Sequence, residues 1–176
     1  MNNIRDIFVF QCLIGCRVSD LFNLTQGNVR GAFVEYIPQK CSHAIPKVVR
    51  VPLTHTAKEI LQKHAKIHGD FLLPRIAHQQ YNYAIKDLIR LGGIHRLVTV
   101  LDTQTRKEVN KPIYEIATSH MARRTFIGNL YNKVQDPNLI ASMSGHTEGS
   151  KAFIRYRAIN DKVKRYTIKF LEGTRR

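Results

Sequence analysis

The hydrophobic period of this chain changes along its length, and that change limits the folds open to it. Most of the 176 residues repeat apolar side chains at helical spacing, whereas residues 29–53 repeat them at every second position. In that window Phe33, Glu35 and Ile37 alternate with Val34 and Tyr36, and Val48-Val49-Arg50-Val51 forms a second run. Successive side chains of a strand point to opposite faces, so a period of two in β-branched and aromatic residues reads as strand. The stretch between the two runs, 38–46, is bounded by Pro38 and Pro46 and reads as the turn of a hairpin with Lys40 at its tip. A second, shorter pair of strands is expected at 97–100 and 113–116, around a polar turn at 102–110.

Helices fill the rest. Residues 6–14 are apolar nearly all round and stop at Gly15, which predicts a buried helix. A short second helix over 19–22 takes Ser19 as its N-cap. Residues 54–68 place Ala57, Ile60, Leu61 and Ala65 on one face, with Thr54 or Thr56 as cap and Gly69 as stop. Further helices are expected at 81–91, closed by Gly92-Gly93, and at 120–133, capped by Ser119. Asp136-Pro137 starts another, a cap followed by proline at the first helical position, which ends near Gly145. The last two are expected at 150–156 and 161–171. The expected fold class is therefore α+β: one mainly α domain over 1–176 with small antiparallel β-sheets.

Composition narrows the function. Apolar residues make up 43%, enough for a packed core and too many for a disordered polyelectrolyte. Lysine and arginine number 28 against 13 acidic residues, a net charge of +15 that attracts a polyanion. No run of about 18 apolar residues and no signal-peptide pattern is present, so the expectation is an intracellular chain that does not engage a membrane. Cys12, Cys16 and Cys41 form no CxxC pair and no disulfide framework; Cys12 and Cys16, spaced i,i+4, read as small buried apolar residues. His64 and His68 share that spacing, but no cysteine or carboxylate set completes a metal site, so a solvated helix face is the expectation. Phe8, Phe10 and Phe22 read as core.

Besides Lys40, the chemistry-bearing residues lie in three places. His120-Met121-Ala122-Arg123 puts an imidazole and a guanidinium at i,i+3 on one helix face, in the first turn, where a helix favours anions. The planar fork of arginine donates two parallel hydrogen bonds to phosphate oxygens. Gly15-Cys16-Arg17-Val18-Ser19-Asp20 adds a second guanidinium and a carboxylate that either pairs with Arg17 or orients another basic group. Gly145-His146 and Tyr156 follow the HxxR helix. Two arginines, two histidines, a lysine and a phenol suit attack by tyrosine on a phosphodiester without a metal.

In this order, the motifs resemble those of the tyrosine recombinase catalytic domain, found in phage and transposon integrases. The runs Ser119-His120-Met121-Ala122-Arg123-Arg124-Thr125-Phe126 and Ser144-Gly145-His146-Thr147 are most similar to integrases of Bacteroides-type mobile elements. The resemblance implies that Tyr156 is the nucleophile, that Arg17 and Arg123 clamp the scissile phosphate, and that Lys40 protonates the departing 5′-oxygen. It further implies that His120 hydrogen-bonds a phosphate oxygen and assists with protons, and that His146 helps hold phosphate and tyrosine, with Asp20 in support. Tyr156 stands ten residues after His146, where the family often has nine; the extra residue falls in 147–149. Tyr166 is the rival nucleophile and Lys47 the rival acid.

The implied product is a 3′-phosphotyrosine that keeps the bond energy for religation, with no cofactor, neither ATP nor metal. Implied partners are double-stranded DNA at attachment or core sites, a homotetramer of the full-length protein and accessory DNA-bending proteins, in the bacterial cytoplasm at the nucleoid. Family members carry core-binding and arm-binding domains ahead of the catalytic one, so weak and poorly specific DNA binding is expected of this chain alone. Two other activities share these residues: relaxation of the type IB topoisomerase kind, and DNA binding without cleavage.

Overall fold

The computed structural model describes residues 2–39, 47–131, 133–134 and 136–146. Helix α1 (Asn2–Ile14) runs through the middle of the molecule. Its Ile7, Phe10 and Ile14 are fully buried. It packs against α3 (His55–His64), α4 (His78–Leu91) and α6 (Ser119–Tyr131). These partners bring Ala57 and Ile60, Tyr81 and Ile85, and Phe126 and Ile127 to the same core. Each such large side chain contributes roughly 1.5–3 kcal/mol by leaving water. Phe10 and Phe22 are in this core and Phe8 packs on it, as the sequence predicts.

The period-two window forms three strands rather than two. β1 (Val29–Arg30), β2 (Phe33–Tyr36) and β3 (Val49–Pro52) make an antiparallel sheet in sequence order. Tyr36 pairs with Val49 and Phe33 with Pro52, so Val34, Tyr36, Val49 and Val51 turn inward. Residues 40–46 of the connection, including Lys40 and Cys41, lie outside the described residues. The second sheet pairs β4 (Leu97–Leu101) with β5 (Glu108–Pro112).

This second pairing corrects the expected strand at 113–116. The Asp102 carboxylate accepts from the Gln104 and Thr105 amides and the Thr105 hydroxyl, which closes the turn early. Pairing therefore starts at Leu101 with Glu108 and ends at Leu97 with Pro112. Pro112 has no N–H to extend a ladder, and the chain winds into α5 (Ile113–Ile116).

Other boundaries move for physical reasons too. The helix expected over 54–68 is capped by Thr54 Oγ1, which accepts from the Ala57 amide, but it ends at His64. Lys66 follows in the left-handed region, φ 62°. Ala65 is exposed and His64 takes the buried place instead. The solvated face expected for His64 and His68 is thus overturned. His64 Nδ1 lies 3.1 Å from His68 Nε2, and its Nε2 faces the Asp6 carboxylate at 3.5 Å. Asp6 also accepts from Lys63 and Arg5, so a buried carboxylate ties α1 to the end of α3. α7 (Pro137–Ser144) begins as predicted, with Asp136 Oδ1 accepting from the Asn138 amide and proline in the first turn. The helices expected at 150–156 and 161–171 lie outside the described residues.

Candidate functional site

Arg17 owes its position to the turn between α1 and α2 (Val18–Leu21). Gly15 ends α1 with φ 68°, and its amide donates to the Gln11 carbonyl at 2.9 Å. No side chain fits here, because an added Cβ would stand 2.3 Å from Phe126 Cδ1. Gln11, fully buried in α1, donates from Nε2 to the Cys16 carbonyl at 3.2 Å and accepts from the Tyr81 hydroxyl at 3.1 Å. Arg17 occupies the N-cap position of α2 with extended backbone, φ −71° and ψ 154°. This replaces the expected Ser19 cap. Cys16 is buried and Cys12 half-buried, and burial pushes the Cys12 thiol up to about 12, so both read as apolar filling.

Asp20 does not form the alternative pair with Arg17. Its Oδ1 accepts from the Gln39 amide at 2.9 Å, whereas its Oδ2 is buried without a hydrogen-bond partner among the described residues. Among the described residues Arg17 Nη1 is likewise buried without one. The carboxylate therefore fastens the exit of β2, one residue before Lys40, to the turn that carries Arg17. Lys47 is exposed. Tyr156 and its rival Tyr166 lie outside the described residues.

Helix α6 carries the HxxR pair. It starts at Ser119, so that residue is the first of the helix and not its cap. The Ser119 amide donates to Asn82 Oδ1 of α4 at 2.8 Å, and Ser119 Oγ lies 3.2 Å from His78 Nε2. Arg123 is 1% exposed, yet its N–H groups are matched: Nη1 donates to the Gly15 carbonyl at 3.0 Å, and Nη2 reaches the His146 ring at 2.9 and 3.0 Å. Burying a guanidinium is tolerable only with such partners.

The Ser144 hydroxyl, which donates to the Ile140 carbonyl at 2.8 Å, lies 2.9 Å from His146 Nδ1 and holds the ring against Arg123. Burial, followed by the nearby Arg123 and Arg17 cations and His120, pushes His146 down to about 3. Gly145 precedes it with φ 67°, pressed against Pro38 and Val49 so tightly that an added Cβ would meet both at 3.1 Å. His120 is exposed at the first turn of α6, and its pKa is lowered by partial desolvation of the ring, then by Arg123, Arg124 and Arg17.

Arg17, His120 and Arg123 line one cleft of about 410 Å³, together with Gln11, His78 and Asn82. His146 backs it through Arg123. Four of the six predicted catalytic residues are thus brought together from α2, α6 and the end of α7. Sequence reasoning missed Gln11, His78, Asn82 and Ser144; only the lone glutamine in an apolar helix offered a signal. Among the described residues no cluster of three or more histidine, cysteine or acidic side chains is placed to hold a metal, and no helix is long and apolar enough to cross a membrane. Chemically, the cleft offers two guanidinium groups and a neutral imidazole, a setting for an anion that gains charge during reaction.

This mainly helical architecture, with two small antiparallel sheets and a paired-arginine cleft, is the tyrosine recombinase catalytic-domain fold. The sequence matches the phage integrase family over residues 3–163, and the chain belongs to that family. No curated protein matches it. Among solved structures it is similar to Tn1549 transposon integrase in complex with transposon right end DNA, at 15% identity and TM-score 0.63, covering 96% of this chain and 58% of that one. It is similar to the XerH site-specific recombinase bound to palindromic difH substrate in a post-cleavage complex, at 14% and 0.63, covering 97% and 46%. XerA recombinase gives 18% and 0.63, covering 96% and 61%. At these identities the likeness is one of fold. The chain spans about half to three-fifths of the length of these structures.

Proposed function

We propose that this chain is the catalytic domain of a site-specific recombinase that cleaves and rejoins double-stranded DNA through a 3′-phosphotyrosine, integrating or excising a mobile element. The observation that carries the reading is the convergence of Arg17, His120 and Arg123 on one cleft, with His146 bonded behind Arg123. In this reading the Tyr156 oxygen attacks the scissile phosphorus and its proton passes to His120, whose lowered pKa keeps the ring neutral and able to accept. The P–O5′ bond breaks as the new P–O bond forms. Lys40 donates a proton to the departing oxygen, and Asp20 holds the backbone of Gln39, the residue before it in the sequence. Arg17 and Arg123 offset the charge that builds on the phosphorane, the kind of preorganised electrostatic stabilisation that usually dominates. Attack by another 5′-hydroxyl reverses the step and rejoins the strand.

Membership of the phage integrase family supports DNA as the substrate. Four protomers on two DNA sites and accessory DNA-bending proteins belong to the same proposal, as does action at the bacterial nucleoid. The test is covalent capture of the 176-residue chain on nicked suicide duplexes of randomised sequence, in which the released strand is too short to religate. A denaturation-resistant adduct that is lost in Tyr156→Phe supports the reading and its nucleophile. An adduct that survives there and is lost in Tyr166→Phe moves the nucleophile. No adduct from the wild type overturns cleavage by this chain. If Lys40 is the acid, a bridging 5′-sulfur leaving group, which departs as a thiolate, restores Lys40→Ala and leaves Lys47→Ala unaffected.

A further inference from the structure

We infer that Asn82, with His78 one turn before it, is a positioning residue that holds the first turn of α6 and so aims His120 into the cleft. The inference rests on the reading of that cleft as the phosphate site.

The first amides of a helix have no partner within it. Buried, such a group costs free energy unless another group accepts from it. Ser119 is buried, and the acceptor for its amide comes from a different helix: Asn82 Oδ1 at 2.8 Å, 37 residues away. The Ser119 hydroxyl lies 3.2 Å from His78 Nε2. His78 and Asn82 are four residues apart, on one face of α4, and both line the cleft with Arg17, His120 and Arg123. The same face of α4 is anchored in the core by Tyr81, Ile85 and Ile89. The cap is therefore built on a rigid element, the arrangement that fixes a catalytic group within a fraction of an ångström. His120 is the next residue after Ser119, whereas Arg123 is one turn further in and has its own bonds to Gly15 and His146. Loss of the cap therefore reaches His120 first.

The experiment compares wild type with Asn82→Ala and Asn82→Asp in the 176-residue chain. Asn82→Asp keeps the accepting oxygen. Nuclear magnetic resonance reads the exchange of the Ser119 amide and the titration of the His120 ring. The expected result is that Asn82→Ala speeds Ser119 exchange about tenfold, in line with loss of a cap. His120 should return towards its ordinary pKa as the ring regains water and leaves Arg123, Arg124 and Arg17. Adduct formation on the randomised suicide duplexes, at saturating DNA, should fall about 10- to 100-fold, as misplacement of a reacting group by an ångström does. DNA affinity should be unchanged. Asn82→Asp should restore the amide protection and the adduct rate.

Unchanged exchange and titration in Asn82→Ala would overturn the inference. So would loss of both with the wild-type adduct rate, because the cap would then be structural only. A wild type that forms no adduct defeats the proposed cleavage. In that case the exchange and titration still decide whether Asn82 holds the turn that carries His120.

Discussion

Arg123 meets the cleft from inside the protein, and its value depends on geometry rather than charge alone. The guanidinium spans the Gly15 carbonyl and the His146 ring with separate nitrogens, so it links α6 to the turn that carries Arg17 and to the end of α7. A lysine ammonium is a point charge and cannot make both bonds in one plane. Arg123→Lys should therefore lower the rate of adduct formation by roughly 100-fold, the scale of one lost preorganised donor. Stability should fall by about 1–3 kcal/mol, because a buried carbonyl or ring nitrogen loses its donor. Capture kinetics and urea unfolding on the same variant check both figures.

His146 gives a pH signature with a definite sign. Its folded-state pKa is depressed from 6.5 to about 3 by burial and the arginines. As pH falls below 6.5 the unfolded chain takes up a proton that the folded chain refuses. Stability from the neutral ring is full above that pH and is lost progressively towards pH 3, by at most about 1.4 kcal/mol per unit. Urea unfolding between pH 7 and 4 should show this slope, and His146→Gln should flatten it while keeping an acceptor for Arg123. The side chains that meet at the cleft were legible in the sequence because their signals are local: HxxR at one helical turn, and glycine-histidine after a helix. Their partners were not. Gly15 lies 108 residues from Arg123 and Asn82 lies 37 from Ser119, and nothing in the local pattern encodes such pairings.

At the scale of elements, the close approach of α1 and α6 places both arginines. Gly15 serves this approach twice, by its left-handed backbone and by the absence of a Cβ against Phe126. Gly15→Ala should cost about 2–4 kcal/mol, from the strained conformation and the overpacked ring together. It should also displace the carbonyl that holds Arg123. Thermal unfolding reads the first effect and adduct formation the second, and a Phe126→Ala background should recover part of the stability by removing the clash. Elements whose signals are strictly local were read correctly: the Asp136-Pro137 start of α7, the Thr54 cap of α3 and the strands β2 and β3. The failures occurred where a side chain contacts something distant or unexpected. Asp102 shortened a turn and displaced a strand. His64, facing Asp6, took the buried place that the apolar pattern assigned to Ala65.

Over the whole molecule the decisive quantity is charge. A surplus of +15 on 176 residues is spread far beyond the few cations of the cleft, so on the proposed DNA substrate most of it would act on the backbone without choosing a sequence. Neutralising a phosphate releases a bound counterion, and the affinity then falls with salt in proportion to the number of phosphates met. If the chain covers about six phosphates of a duplex, the logarithm of its binding constant should fall against the logarithm of salt with a slope of about −5. Arg17→Ala should reduce that slope by about one if its guanidinium contacts a phosphate directly. Arg123→Lys should leave the slope unchanged, because it retains a cation at the same place. Titrations of a random-sequence duplex at a series of salt concentrations test all three together. A slope near zero would mean that the surplus charge does not face DNA, which would leave the paired-arginine cleft without the electrostatic path that brings a phosphate to it.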